Sequence, residues 1–437
     1  MQTFRGGVHP PQSKYTKDKP VEKARLPKKV VIPLHQHAGC QAEPVVSAGD
    51  MVKTGQKIGE SKAFISANVH SSITGRIESI KKGVSPIMRD GWCVNIEGDG
   101  TDEWFGSKET ADVGKFSPEE IRQKIKDAGI VGLGGAGFPT HVKLCPPCDK
   151  KIDTVIINGS ECEPYLTCDY RLMIEKSNEI LEGLEIIKKA VGAEYGYIAV
   201  EDNKPDAAEK IKSVLKNKND KVIVLKTKYP QGAEKQLIKA VLNREVPSCK
   251  LPLDAGVVVD NAGTAVAVRN AVLENIPLIE RVITVCGSGI STGKNLLVRI
   301  GTSFRDVLEE CGGLKKDVWK VIMGGPMMGL SQFSLDIPVI KGTSGILAMT
   351  LDERPVLQER NCIRCGRCIG VCPMSLMPNM LGLYSSRFML EDGFKYNPQD
   401  CIECGSCAYV CPAKIPLVQL IRFIKGKKLE QMRKCKI

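Results

Sequence analysis

Between residues 30 and 97 short apolar runs alternate with glycine turns: VVIPL, VVSAGDMVKTGQKIGE, ANVHSSITGRIESI and WCVNIEG. Runs of that length, rich in β-branched residues and bounded by Gly, Asp and Ser, predict strands. From residue 154 onward the period changes. TVIIN, GYIAV, VIVL and GVVVD are continuous apolar runs, and the stretches 171–190, 205–217, 233–244 and 264–273 between and after them read as helices. Four strand–helix units in a row predict a parallel sheet covered by helices, with ligands at the carboxyl ends of its strands. Ahead of them, Ser117-Pro118-Glu119-Glu120 predicts a helix start, with Ser as N-cap, Pro at the first helical position and Glu at the third. That helix is expected to run to about Asp127 and to stop at Gly129. Beyond 281 the strands RVITVCGSGI and NLLVRI, the helix FRDVLEECGG and the strand WKVIMGG predict a small β-grasp unit. Residues 1 to about 25 read as an extended basic arm, and Pro338 and Pro355 mark a linker.

Composition narrows the classes. A chain of 437 residues with 42% hydrophobic content can form several cores. Its formal charge of +12 is spread along the chain, and no tract interleaves aromatics with basic residues. That pattern points to acidic protein partners or an anionic membrane surface and away from nucleic acid. No stretch reaches the apolar length of a membrane span; Ala255 to Val272 comes nearest, with Asp254 beside it and Asp260, Asn261 and Arg269 within it. The N-terminus lacks the apolar core of a signal peptide. Any membrane association is expected to come through partners.

The chemistry is announced by cysteines. Cys362-x2-Cys365-x2-Cys368-x3-Cys372-Pro373 recurs as Cys401-x2-Cys404-x2-Cys407-x3-Cys411-Pro412. This is the bacterial ferredoxin run, in which the fourth Cys ligates the other cluster, and it predicts two [4Fe–4S] clusters. Cys362, Cys365, Cys368 and Cys411 would hold one; Cys401, Cys404, Cys407 and Cys372 the other. Zinc also takes four thiolates, but the doubled run with both prolines favours iron–sulfur. Such thiolates need a reducing compartment during assembly, which places the chain in the cytosol.

A second feature is Gly132-Leu133-Gly134-Gly135-Ala136-Gly137, followed by Phe138 and Lys143. It matches G-x-G-x-x-G, but a helix precedes it where the dinucleotide fingerprint requires a strand. What remains is physical: bare amides that can approach a phosphate or a flat ring, a cation and a stacking face. Three strand ends add polar loops. Asn158-Gly-Ser160-Glu161-Cys162-Glu163 follows the first strand, Tyr229-Pro-Gln-Gly232-Ala-Glu234 the third and Asp260-Asn261-Ala-Gly-Thr264 the fourth. Their convergence predicts one pocket, although Asn261 and Thr264 taken singly read equally well as helix caps.

GLGGAGFPTHVK, NGSECEPYLTCDYR, YPQGAEKQ and VVDNAGTAVAV resemble the flavin- and NADH-binding domain of the flavoprotein subunit of respiratory complex I. The order of domains across nearly the whole chain resembles the C-subunit family of the Rnf electron-transport complex. The resemblance implies FMN, bound non-covalently, on the glycine loop, with Gly132, Gly134 and Lys143 toward phosphate and flavin and Asn158, Ser160 and Glu161 on the second loop. It implies NAD(H) as substrate, stacked on the flavin with Gly135, Phe138, Glu163 and Glu234 on its side and Tyr229, Gly232, Asp260 and Asn261 around the pocket. No side chain is cast as acid, base or nucleophile. Leu133 stands where complex I has an Arg, and Ala233-Glu234 where it has a Glu pair.

The fold expected is multidomain α/β plus β. An arm and a barrel-sandwich hybrid (1–110), similar to lipoyl and biotinyl domains, lead into a Rossmann-like parallel-sheet FMN/NADH domain (115–277). A β-grasp domain (280–337), a ferredoxin-like two-cluster domain (355–420) and a basic tail (421–437) follow. The activity implied is electron transfer between NADH and the clusters through FMN, as a peripheral subunit on the cytoplasmic face of the bacterial plasma membrane. Partners implied are the integral membrane and iron–sulfur subunits of the same complex, with ferredoxin as the indirect redox partner and Na+ or H+ moved by the membrane subunits. Two alternatives stand beside it: a microcompartment cobalamin reductase, and a non-catalytic iron–sulfur wire.

Other residues have weaker claims. Cys145, Cys148, Cys162 and Cys168 lie close in sequence, and His35, His37 and Cys40 form a second group; either could ligate a metal, and ordinary buried or free side chains are the expectation. Lys62 lies near the tip where lipoyl domains carry their prosthetic group, without the flanking methionines. Leu417, Leu420, Ile421 and Ile424 predict an amphipathic helix for a partner or membrane surface, or a solvated end. Cys435 reads as a stray thiol.

Overall fold

The computed structural model describes residues 2–106, 111–354 and 358–434; Pro355 and Cys435 lie outside them. Near the N-terminus the alternating runs form two small sheets. Strands Lys29–Pro33, Met88–Gly98, Gly75–Ser85 and Met51–Val52 form one antiparallel sheet, and Glu43–Pro44, Lys57–Glu60 and Val69–His70 form another. Inward-facing Val30, Ile32, Ile58, Ile77, Val94 and Ile96 fill the space between them. Lys62 sits exposed at the tip, paired with Glu60 at 2.8 Å.

The helix Pro118–Asp127 begins as its sequence predicts. Ser117 Oγ accepts from the Glu120 amide at 3.2 Å, and Glu120 Oε2 accepts from the Ser117 amide at 2.7 Å, a reciprocal cap. It ends before Gly129, whose φ is +64°. A Cβ there would lie 2.2 Å from the Asn68 carbonyl oxygen. Glycine therefore lets the N-terminal sandwich approach this turn closely.

The four predicted strands form one parallel sheet. Its order is Asp220–Leu225, Tyr195–Glu201, Thr154–Gly159, Val257–Asn261, so the third, second, first and fourth strands follow one another. The chain reverses its direction of travel across the sheet between the first and fourth strands. That switch point opens a crevice at their carboxyl ends. The helix expected over 171–190 is two helices, Cys168–Glu175 and Ser177–Val191, because Lys176 leaves helical geometry at φ −129°, ψ 38°.

The third sheet is larger than expected. It runs Val21–Lys23, Lys294–Arg299, Glu280–Cys286, Gly345–Thr350, Val318–Met323, Leu330–Gln332. Two expectations are corrected here. The stretch between Pro338 and Pro355, expected as linker, contains Gly345–Thr350, a mostly buried interior strand that extends the unit past residue 337. The N-terminal segment is not a free arm. It bridges Gln2 to Leu225 and Val8 to Tyr229, and its strand pairs with Lys294–Arg299. Gly7 also donates its amide to the Val371 carbonyl at 2.8 Å, beside the first cysteine run. Lys14 is drawn inward and donates to the carbonyls of Glu161, Glu163 and Leu166 at 2.7, 2.9 and 2.6 Å. Burial pulls its pKa down against the nearby charge of Glu161. These pairings join residues hundreds of positions apart, which local patterning does not encode.

The helix Leu417–Lys434 packs its apolar face inward. Leu417, Ile421 and Ile424 are buried, and the latter two join Leu381 of helix Pro378–Ser386 in one core. That face is consumed within the domain, which removes it as the expected docking or membrane surface.

Candidate functional site

The glycine loop is a turn closed at its base. Val131 and Pro139 form an antiparallel bridge, and the Gly132 amide donates to the Phe138 carbonyl at 2.9 Å. Buried Leu133 holds the loop to the first turn of the helix Ala262–Glu274, its amide donating to Thr264 Oγ1 at 3.0 Å. Gly134, Gly135 and Ala136 stand exposed at the crest, and the Phe138 ring is 36% exposed. A Cβ on Gly134 would press on Asn261, with its nearest atom at 2.8 Å, whereas one on Gly135 would meet nothing within 4 Å. The crest is thus backed by the end of the fourth strand and open above, as a cradle for a flat group requires.

A partly buried charge cluster joins Lys143, Glu234 and Asp260. Lys143 Nζ donates to the Val259 carbonyl and lies 3.1 Å from Glu234 and 3.6 Å from Asp260. Burial pulls the Lys143 pKa down, but Asp260 and Glu234 outweigh it and hold it above its ordinary value. Asp260 is pushed up by burial, partly countered by Lys143. Neither of its oxygens has a hydrogen-bond partner among the described residues. Its charge is met by the Lys143 ammonium at 3.6 Å, beyond hydrogen-bond length.

The second and third loops are laced together. Asn158 Nδ2 donates to the Gly232 carbonyl at 2.8 Å while Asn158 Oδ1 accepts from the Ser160 amide at 3.1 Å. The Gly232 amide donates to Cys162 Sγ at 3.3 Å. Among the described residues Ser160 Oγ is buried without a partner, and both side-chain amide atoms of fully buried Gln231 are unpartnered. Sequence reasoning missed Gln231, although it sits between Tyr229 and Gly232, both of which are expected at the pocket.

Three expected cofactor residues make hydrogen bonds within the protein. Glu161, at φ +46°, turns its carboxylate onto the Asp169 and Tyr170 amides and caps the helix Cys168–Glu175. Burial and Glu161 together push Asp169 up to about 7. Glu163 Oε1 accepts from the Met327 and Met328 amides at 2.8 and 2.9 Å, which ties the loop after strand Val318–Met323 to the pocket wall. Asn261 caps helix Ala262–Glu274 through Gly263 and donates to Asp169 at 2.6 Å.

Tyr229 connects this pocket to the cysteine runs. Its ring is buried, and its hydroxyl donates to the Cys404 carbonyl at 2.7 Å. The two runs share one backbone design. Arg364 and Glu403 take φ +55° and +57°, Gly366 and Gly405 +72° and +81°, and Ser375 and Lys414 +53° and +52°. Each pair occupies matching places in its run, so the two loops fold as copies. The thiols sort into interleaved sets. Burial pushes Cys407 up to about 12, with Cys404, Cys401 and Cys372 adding to it; Cys401 rises to about 11, with Cys404 and Cys372 contributing. Burial likewise raises Cys368, and there the neighbouring thiol is Cys411. Cys401, Cys404, Cys407 and Cys372 are thus neighbours across the two runs, the donor set one cubane takes, and Cys368 with Cys411 repeats the crossing in the other direction. Cys404, Cys407 and Cys411 are buried, while Cys362 and Cys365 are exposed.

The other groups do not converge. Among the described residues no cluster of three or more His, Cys, Asp and Glu could hold a single metal ion. Cys145 and Cys148 are exposed, Cys162 serves Gly232 and Cys168 is buried. His37 Nε2 accepts from the Ala67 amide at 3.0 Å, and burial lowers the His37 pKa to about 4. Among the described residues no helix is long and apolar enough to cross a membrane.

Comparisons with known proteins agree with these parts. Residues 125–270 match the family profile of the Nuo51 FMN-binding domain, 2–101 the RnfC barrel sandwich hybrid domain, 282–331 the SLBB domain and 354–412 a 4Fe-4S dicluster domain. The C subunit of the proton-translocating ferredoxin:NAD(+) oxidoreductase complex of Clostridium ljungdahlii is 50% identical over 429 residues, covering 98% of this chain and 94% of that one. The C subunit of the Na(+)-translocating complex of Acetobacterium woodii is 46% identical over 440 residues, covering 99% and 98%. The C subunit of the ion-translocating oxidoreductase complex of Rhodobacter capsulatus is 42% identical, covering 99% and 84%. Among solved structures, an NAD+-reducing [NiFe]-hydrogenase in the H2-reduced state shares the fold at a TM-score of 0.50 and 18% identity, covering 72% of this chain and 63% of that chain. With half its residues identical to a relative matched almost end to end, the chain belongs to the C-subunit family of the Rnf ion-translocating ferredoxin:NAD+ oxidoreductase complex.

Proposed function

We propose that this chain exchanges electrons with NAD(H) for such a complex and passes them between the nucleotide pocket and its own two clusters. Bound FMN would take two electrons together from NADH and release them singly, and each [4Fe–4S] cluster would accept one. The chain's residues supply the setting. The bare amides of Gly132, Gly134 and Gly135 allow close approach of a phosphate and ring. Phe138 offers an apolar face beside them. Lys143, kept charged by Asp260 and Glu234, supplies an ammonium donor beside the loop. Ser160 and Gln231 hold unpaired polar atoms ready to orient a ligand. Asn158, Glu161, Gly232 and Asn261 keep the loops in place, while Glu163 and Tyr229 form the wall toward the cluster domain.

We further read the units as a barrel-sandwich hybrid to about residue 110, a Rossmann-like FMN/NADH domain over 115–277, a β-grasp unit that includes Gly345–Thr350, and a ferredoxin-like domain that ends with its packed helix. The chain would sit peripherally on the cytoplasmic face of the membrane, held by the membrane and iron–sulfur subunits, and ion movement would belong to those partners. The relatives named for ferredoxin:NAD(+) oxidoreduction support this reading.

The observation that carries the proposal is the Tyr229 hydroxyl on the Cys404 carbonyl, because it seats a cluster ligand loop against the carboxyl edge of the nucleotide sheet. Cofactor content tests it. Protein purified without oxygen should hold about eight iron and eight sulfide per chain, together with one FMN released by acid. Clusters without flavin would leave only an electron wire and refute the proposal.

A further inference from the structure

The two cysteine runs fold as copies yet face different surroundings. The second is turned inward: Cys404 packs with Val8 and Tyr229, and Glu403 is engaged by Arg422 at 2.6 Å and Lys425 at 2.9 Å. The first is turned outward. Every residue of 358–367 is exposed, Cys362 and Cys365 among them, and Ile363 between them is 69% exposed. Its charge is one-sided. Arg360, Arg364 and Arg367 lie in this stretch against a single carboxylate, Glu359. The Arg360 amide donates to the Ala413 carbonyl at 2.9 Å, which brings exposed Lys414 to the same rim. Exposed Arg5 arrives from the N-terminal segment, since a Cβ on neighbouring Gly6 would lie 2.8 Å from the Cys372 carbonyl oxygen. None of these five cations forms an ion pair among the described residues.

Unpaired arginines around exposed ligand cysteines are out of keeping with a loop whose only task is to hold a cluster. The inward run carries no cation between Cys401 and Cys411. An exposed isoleucine ringed by cations instead has the anatomy of a small docking patch, apolar at the centre and charged at the rim. We propose that 358–367, with Arg5 and Lys414, docks an iron–sulfur protein that carries acidic residues around its own cluster, and that this face is where single electrons leave or enter the chain. The inference rests on the electron-transfer reading above and adds the place and charge of the contact. At that contact one electron passes from the reduced member of the pair to the oxidised one, and no bond or proton changes hands. An anionic lipid surface would meet the same cations, but it offers no electron acceptor at the exposed cysteines.

The test is binding, so it does not depend on turnover. The complete, cluster-loaded protein is titrated calorimetrically with an oxidised, acidic plant-type ferredoxin as probe, and with basic cytochrome c as control. The ferredoxin should bind and cytochrome c should not. Raising salt from low to high should weaken the ferredoxin's Kd about tenfold or more, because exposed charges are screened. Arg360→Glu with Arg367→Glu should weaken it by a similar factor at low salt. Iron content checks that the clusters survive, and Lys414→Glu, outside the cysteine loop, gives a second variant with the same expected direction. A Kd indifferent to salt and to both variants overturns the proposal, and so does charge-dependent binding to phosphatidylserine vesicles with none to the ferredoxin. Reduction of the clusters by NADH is followed separately by EPR. Silent clusters would refute the electron-transfer reading, whereas reduced clusters with a charge-blind Kd would refute the docking face alone.

Discussion

Gly134 and Gly135 are neighbours on one loop crest, and replacing each with Ala separates folding from cofactor binding. Neither takes a positive φ, so the backbone accepts Ala at both. At Gly134 the new methyl would sit 2.8, 2.9 and 3.0 Å from three atoms of Asn261. Asn261 must then move, although it caps the helix Ala262–Glu274 and bonds Asp169. Overpacking of that kind costs about 1–3 kcal/mol, and a lost cap about 1 kcal/mol more. At Gly135 the methyl meets nothing within 4 Å. The apoprotein should therefore gain about 0.4–1 kcal/mol from the stiffer unfolded chain. If FMN lies over that bare amide, however, the methyl intrudes on it, and a loss of about 1.4 kcal/mol is tenfold in Kd. Thermal unfolding of both apoproteins and fluorescence titration with FMN measure the two effects. We expect Gly134→Ala to melt several degrees lower, and Gly135→Ala to melt no lower than the parent yet bind FMN at least about tenfold more weakly. A Gly135→Ala protein that binds FMN as the parent does would refute the cradle.

Three further outcomes follow from particular contacts. Tyr229→Phe removes the donor to the Cys404 carbonyl; a loss of about 1 kcal/mol should speed iron loss to a chelator about fivefold, with bleaching of the cluster absorbance as the readout. Lys14→Met strips three carbonyls of their donor, so stability should fall by about 2–3 kcal/mol and the 161–166 loop should become a site of limited proteolysis. Lys341 is fully buried, donates to the Asn68 and Gly129 carbonyls, and has its pKa lowered by burial to about 7. Between pH 7 and the unfolded value near 10.5 the unfolded chain binds more protons at this site, so this residue makes stability rise with pH there and adds a constant penalty below. Lys341→Met should flatten that rise, as seen by comparing urea unfolding of the two proteins at pH 7 and pH 9.5; identical slopes would refute the assignment.

Local chemistry made much of the architecture legible. The capping box at Ser117 and the buried parallel strands from Thr154 to Asn261 depend on neighbours within a few residues, and both are where the pattern puts them. The doubled cysteine run is legible for the same reason, since one short loop supplies three corners of a cubane. What escaped depends on distant partners. Gly345–Thr350 becomes a strand only because Glu280–Cys286 and Val318–Met323 flank it, and the N-terminal segment is ordered by Tyr229, Val371 and the second-loop carbonyls. Acidic residues in the loops carry roles that composition does not show. Glu161 and Glu163 accept from helix and loop amides that are distant in sequence or hidden until the loop folds. Gln231 carries no signal in the sequence, because a glutamine beside glycine is ordinary until its burial without a partner is seen.

The central claim is that the nucleotide pocket and the cysteine runs form one electrical unit. Mixing the anaerobic protein with one equivalent of NADH, freezing within milliseconds and recording EPR tests it most directly. A reduced [4Fe–4S] signal should grow as the flavin absorbance recovers. Flavin that stays bleached while the iron–sulfur spectrum remains that of the oxidised protein would contradict it.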